Sequence, residues 1–310
     1  MNQRAFSGFL FALLAAAMWG ALPIGLQQVL KVMDPQTIVW YRFAVAGFGL
    51  LLILAYKKTL PDLSRLHRRY VLLILLGIFG LSVNFVLFNI ALQYIPPTTS
   101  QVLSPLSSFV MLLVGVFVFK EKMGMHQKIG LVVLIIGLIL FFNDHFADFM
   151  QFNLYFKGVL IAFIASTIWV AYGIAQKILL LKFSSQQILL LIYLGCALIF
   201  LPFSSPKQLF ELNGLQLGCL LFCCANTLIA YGSYAEALNR WEVSKVSAMM
   251  TQISIFTIIF SEMLAYVAPA IFSDQQLNSL SYFGAVLVVS GSLLSAIGHK
   301  LPIGRAAKIK

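Results

Sequence analysis

The chain has 310 residues, of which 61% are apolar and 10% charged, and it carries a formal net charge of +11. Soluble domains carry about a quarter charged residues, so this composition excludes a soluble protein and leaves no stretch for a separate water-facing domain. The apolar runs are long and lack strict apolar–polar alternation, which favours helices over a transmembrane barrel.

A membrane helix needs about 20 mostly apolar residues, and ten such runs follow one another along the chain. They cover 6–30, 36–56, 70–92, 98–119, 126–142, 155–177, 186–202, 214–238, 243–267 and 281–298. The first follows Arg4 and has small residues at Ala15–Ala17, but it continues past Trp19 and Pro23. That is too long for a signal peptide, so the segment is expected to be retained. The second run holds Arg42, and the third holds Asn84, Phe88 and Asn89, with Asn84 and Phe88 on one helix face. The fourth starts beyond Pro96-Pro97, contains Gln101, Ser104 and Pro105, and ends near Glu121 between Lys120 and Lys122. Trp169 and Tyr172 lie in the sixth, and Asn226, Thr227, Tyr231 and Tyr234 in the eighth. The ninth holds Thr251, Gln252, Ser254 and Glu262. Pro23, Pro96-Pro97 and Pro105 are placed to kink or break helices and free backbone carbonyls.

The basic residues sort by side. One set of alternate loops, with both termini, holds Arg4, Lys57, Lys58, Arg65, Arg68, Arg69, Lys120, Lys122, Lys128, Lys177, Lys182, Arg240, Lys245, Lys300, Arg305, Lys308 and Lys310. The other set holds only Lys31, Lys157 and Lys207, and carries Asp34, Asp144, Asp148, Glu211 and Asp274. By the positive-inside rule both termini are cytoplasmic and the number of spans is even. This accounts for the positive charge without nucleic acid. The cluster at 65–69 is expected to anchor topology, with anionic lipid headgroups as a secondary partner.

The two halves resemble each other. Gly8 and Trp19 are eleven residues apart, as are Gly158 and Trp169. Ala91-Leu92 matches Ala237-Leu238, each ahead of a span that ends in an acidic residue, Glu121 or Glu262. Gly130 and Gly137 are seven apart, as are Gly284 and Gly291. Each half holds five spans, and an odd number forces the second copy to start from the opposite side. The expected fold is an all-α polytopic membrane protein of ten transmembrane helices in two inverted five-helix repeats, 6–142 and 155–298.

These residues resemble the EamA type of the drug/metabolite transporter superfamily. The likeness is carried by Trp19-Gly20, Arg42, "ALQYIPPTTSQVLSPL" at 91–106 and Glu121 with Gly130 and Gly137. Trp169, Ala237-Leu238, Glu262, Gly284 and Gly291 repeat it. The second half departs from the pattern: it lacks the Pro-Pro pair and has "MMTQIS" where the first has "LSPLSS". The resemblance implies a central substrate cavity between the repeats and movement of small metabolites, amino acids among them, across the bacterial inner membrane.

Polar groups within the bilayer are costly and mark the places to look. The expected cavity lining is Trp19, Arg42, Asn84, Phe88, Gln101, Trp169, Tyr172, Asn226, Tyr231, Tyr234 and Gln252. Amides, hydroxyls and aromatic faces can order a polar metabolite. Each amide has an alternative role as an interhelical hydrogen bond. Trp19 and Trp169 stand mid-span, where an interfacial belt residue would not. Arg42 either snorkels to the outer interface or faces the cavity and holds an anionic group. Glu262, within apolar "IIFSEMLAYV", is the expected proton-coupling residue, whereas Glu121 is expected to pair locally and Glu236 to pair with Arg240. Cys196, Cys219, Cys223 and Cys224 sit in apolar runs as small hydrophobes, and no metal or cofactor is expected. No G-x-x-x-x-G-K-[ST] loop is present, which excludes ATP drive within this chain. A membrane-embedded transferase is the alternative, and Asp144, His145 and Asp148 form the one cluster that would serve it.

Overall fold

A computed structural model describes residues 3–62, 67–117, 123–272 and 277–297. Glu121 with its flanking Lys120 and Lys122, Arg65, Asp274 and the four basic residues beyond 297 lie outside the described residues.

The described chain is helical. The helices are α1 (Gln3–Val29), α2 (Pro35–Tyr56), α3 (Arg68–Ala91), α4 (Pro97–Val102), α5 (Leu106–Phe117), α6 (Met125–Phe141) and α7 (Phe146–Met150). The second half continues with α8 (Leu154–Leu179), α9 (Ser185–Phe200), α10 (Gly214–Arg240), α11 (Val243–Met250), α12 (Ile253–Val267) and α13 (Ser279–Ile297). Among the described residues, eight helical segments are long and apolar enough to cross a membrane, and α6 makes a ninth when joined to the bent segment 143–150. The expected fourth span is instead two short helices, α4 and α5, and its last residues, 118–119, lie outside the described residues.

Local chemistry sets the helix starts. Asp34 caps α2 by accepting from the Thr37 N–H at 2.8 Å, with Pro35 in the first turn. Ser184 caps α9 through the Gln187 N–H, and the Gln187 side chain accepts in return from the Ser184 N–H. Asn213 and Gln216 make the same reciprocal pair at α10. α1 runs through Pro23 without a break. The expected break does occur at Pro105, between α4 and α5. A corresponding break separates α11 from α12 at Thr251-Gln252, where no proline announces it.

Packing joins one half to the other. α1 lies on α10, α3 on α8, α2 on α9 and α6 on α13. α1 also meets α12, as α8 meets α5, and α2 meets α10, as α9 meets α3. Exchanging each helix with its counterpart 150 or so residues away leaves this set of pairs unchanged. The α6–α13 seam is the closest. A Cβ added at Gly284 would lie 2.4 Å from the Phe141 nitrogen, and one at Gly130 would lie 2.5 Å from the Gly291 carbonyl oxygen. Lipid tails are as apolar as side chains, so membrane helices associate through such close backbone approach rather than through a hydrophobic drive. The two glycine pairs noted in the sequence build this seam.

Candidate functional site

The centre of the bundle is aromatic. The Trp19 ring on α1 meets Tyr231 edge-on, with centroids 5.1 Å apart, and Tyr234 at 5.6 Å, both on α10. From α8 Trp169 packs against the same cluster as Tyr231, and its ring lies beside Tyr172 at 5.9 Å. Trp19 and Trp169 occupy equivalent places in the two halves, so each half presents its tryptophan to the same cluster. Tyr193 on α9 extends the cluster, 6.2 Å from Tyr231 and 5.8 Å from Phe43.

Arg42 joins this cluster from α2 and is 2% exposed, so it does not snorkel to the interface. Its Nε donates to the Thr227 hydroxyl at 3.0 Å, and its guanidinium lies 4.3 Å from the Phe85 ring centroid. The Thr227 hydroxyl donates in turn to the Cys223 carbonyl oxygen, which fixes its lone pairs toward Arg42. The Tyr193 hydroxyl donates to the Thr227 carbonyl oxygen at 3.1 Å.

The broken spans close on the same centre. Gln101 Nε2 on α4 donates to the Trp19 carbonyl oxygen at 3.2 Å. Ser254 Oγ on α12 donates to the Gln101 carbonyl oxygen at 2.7 Å, and Thr257 Oγ1 donates to the Gly20 carbonyl oxygen. The Trp19 carbonyl, left free because Pro23 has no N–H, is thus met by the Gln101 amide, and hydroxyls of the second half reach the Gln101 and Gly20 carbonyls.

Other expected lining residues make contacts between or within helices. Asn84 Nδ2 donates to the Ala165 carbonyl oxygen at 2.9 Å and ties α3 to α8. Asn226 Nδ2 donates to the Met18 carbonyl oxygen, while its buried Oδ1 has no hydrogen-bond partner. Phe88 packs in the apolar cluster around Leu26 and Met33. The Gln252 amide reaches the Thr251 hydroxyl within the α11–α12 break. Glu262 stands on α12, half-buried, and accepts a hydrogen bond from the Tyr282 hydroxyl on α13. His145 and Asp148 do pair, at 2.6 Å, and the His145 ring stacks on Tyr155. Asp144 accepts from Asn278 instead, so the pair lacks a second carboxylate. Among the described residues, no group of three His, Cys, Asp or Glu side chains is arranged to hold a metal.

Phe43, Phe85 and Tyr193 belong to the centre and were not among the expected lining. The offset of 150 that relates Trp19 to Trp169 also relates Phe43 to Tyr193, since α2 starts at Pro35 and α9 at Ser185. Applied to every span, that offset finds the pair.

Close glycine contacts recur at equivalent positions of the two halves. A Cβ on Gly8 would lie 2.7 Å from the Trp241 Cβ, and Phe9 packs edge-on against the same indole. A Cβ on Gly158 would lie 2.7 Å from both Tyr94 Cβ and Ile95 Cγ2, and Lys157 caps the Tyr94 ring. Gly8 and Gly158 are again 150 residues apart. Elsewhere a cleft of about 370 Å³ opens between α1, α10 and α12, lined by Gly25, Gly218, Cys219 and Phe222. It is almost wholly apolar and shares no residue with the aromatic centre, so it offers nothing to orient a polar solute.

The model of the EamA-like transporter family matches residues 6–143 and again 156–297. The chain belongs to the EamA-like transporter family. It is a multi-pass membrane protein built on the two repeats of that family. An uncharacterized transporter of Haemophilus influenzae is 56% identical over 301 residues, covering 97% of this chain and 98% of its own. The uncharacterized inner membrane transporter YhbE of Escherichia coli is 45% identical over 303 residues, covering 97% of this chain and 94% of its own. At 20% identity, covering 93% and 94%, stands an Escherichia coli protein named a probable amino-acid metabolite efflux pump. A solved crystal structure at 16% identity covers 99% of this EamA-type chain and 100% of its own with a TM-score of 0.66, which shows a shared fold.

Proposed function

We propose that this protein is a secondary transporter that carries a small metabolite by alternating access around the Trp19–Tyr231–Trp169 centre. In this reading ten spans form two inverted repeats, 6–142 and 155–298, and both termini face the cytoplasm of a bacterial inner membrane. One observation carries it: equivalent tryptophans from the two halves pack on the aromatic cluster that holds Tyr231, and equivalent close glycine contacts recur at Gly8 and Gly158. Two related packings of similar halves open such a centre first to one side and then to the other. The distant relatives named as amino-acid metabolite efflux pumps support export of an amino acid or a related compound.

Charge placement supports the orientation. A reporter fused after Lys310 is expected to be active in the cytoplasm; periplasmic activity there would break the ten-span arrangement.

Glu262 is the proposed proton-coupling group, since it is a half-buried carboxylate whose partner is a tyrosine hydroxyl rather than a cation. The purified protein in proteoliposomes is expected to exchange a labelled metabolite against an unlabelled pool and to take it up along an imposed pH gradient. Glu262→Gln should keep the exchange and lose the gradient-driven uptake. Unchanged gradient-driven uptake refutes the role of Glu262, and the absence of flux across a metabolite panel refutes transport.

A further inference from the structure

The Arg42 guanidinium has no counter-ion among the described residues. Among the described residues the ion pairs are Glu236–Arg240, Glu242–Lys245 and His145–Asp148, all away from the centre. Of the five N–H donors of the guanidinium, only the one on Nε has a partner among the described residues. A cation 2% exposed inside a membrane span is costly unless something answers its charge. The Phe85 face offsets part of that cost.

The fold itself does not ask for a charge here. The offset that pairs the caps Asp34 and Ser184 sets Arg42 against Ile192, which is fully buried on α9. The same place in the other half is therefore filled by an aliphatic side chain. Phe85 lies against the Arg42 guanidinium, and Phe43, Tyr193 and Tyr231 continue the run of rings from it, an environment suited to an apolar body. Among the described residues, no carboxylate pairs with Arg42 or stands against it to receive an ammonium group.

We propose that the free edge of the Arg42 guanidinium is the anchor for the carboxylate of a monoanionic substrate with an apolar, ring-sized body. A planar guanidinium fork matches a carboxylate with two parallel hydrogen bonds. A zwitterion would bring an ammonium into a cluster without an anion, and an amine would face Arg42 as a like charge. This inference rests on the transport reading above and narrows its substrate from an amino acid or a related compound to the related carboxylate that lacks the ammonium group.

The test uses three probes with one phenyl body: 3-phenylpropionate, phenylalanine and 3-phenylpropylamine. Each is titrated against the purified full-length protein in detergent while Tm is recorded. 3-Phenylpropionate is expected to raise Tm saturably at concentrations where the other two have no effect. Arg42→Lys, which keeps the charge without the fork, should weaken that binding by about tenfold or more, the scale of a lost charged hydrogen bond. Arg42→Gln should remove it. Equal stabilisation by phenylalanine or the amine overturns the proposal, as does the lack of a saturable shift with 3-phenylpropionate, or unchanged affinity in Arg42→Lys. If Arg42→Gln does not fold, Arg42→Lys and the wild-type probe comparison decide. Saturable binding without counterflow of labelled 3-phenylpropionate in proteoliposomes overturns the transport reading and leaves the ligand class standing. Counterflow of the amine, unaffected by Arg42→Lys, does the reverse.

Discussion

Gly284→Leu is expected to prevent accumulation of folded protein. The added Cβ would lie 2.4 Å from the Phe141 nitrogen and 2.6 Å from the Gly137 carbonyl oxygen. Both are backbone atoms of α6, so no rotamer change relieves the clash. α6 and α13 must separate along a seam that also depends on Gly130 and Gly291. Overpacking of this kind costs ~3 kcal/mol, and more when backbone has to move. Gly218→Ala is the control: nothing lies within 4 Å of its Cβ position, and a change within ~0.5 kcal/mol is expected. Detergent size-exclusion profiles and melting curves of the two variants check this. A monodisperse Gly284→Leu protein with wild-type Tm would mean that α6 and α13 do not pack as described.

Gly158→Leu is expected to hold the site open on its Lys157–Tyr94 side, and Gly8→Leu on its Arg240–Trp241 side. At Gly158 the new side chain meets Tyr94 Cβ and Ile95 Cγ2, each 2.7 Å away, and at Gly8 it meets Trp241 Cβ. A penalty of ~2 kcal/mol on one closed end shifts the balance between the two openings about thirtyfold. Exchange should fall in both variants, because each completes only half of the cycle. Exposure of the centre should move in opposite directions, which a general loss of stability would not produce. Parallel changes in the two variants would contradict two equivalent closures.

Much of this was legible in the sequence. Hydrophobic length located eight of the ten expected spans as long helices among the described residues, the fifth as α6 with its bent extension, but not the division of the fourth into α4 and α5. The glycine spacings were legible only as a sign of the repeat; that these glycines build the α6–α13 seam, where only glycine tolerates the backbone contact, shows in the packed bundle. Trp19, Trp169, Tyr231 and Tyr234 were legible as large polar-tipped rings set in mid-span. Phe43, Phe85 and Tyr193 were not, because a ring in an apolar run looks the same whether it faces lipid, core or site. Asn84 shows the limit for amides: its hydrogen bond to Ala165 satisfies α8, and no pattern in α3 distinguishes that from a lining role. The α11–α12 break lacked a proline, and its stability comes from Ser254 and Thr257 reaching carbonyls of the other half. The partner of Glu262, Tyr282, is twenty residues away on another helix, so only the packed bundle reveals the pair.

The central claim is that one site opens to both sides of the membrane. The most direct measurement places a single cysteine at the site, Tyr234→Cys, in a background with Cys196, Cys219, Cys223 and Cys224 replaced. An impermeant thiol reagent is then applied separately to right-side-out and inside-out vesicles. The account predicts modification from both sides, with Gly158→Leu favouring one face and Gly8→Leu the other. Modification from one side only, whichever glycine is changed, would contradict it.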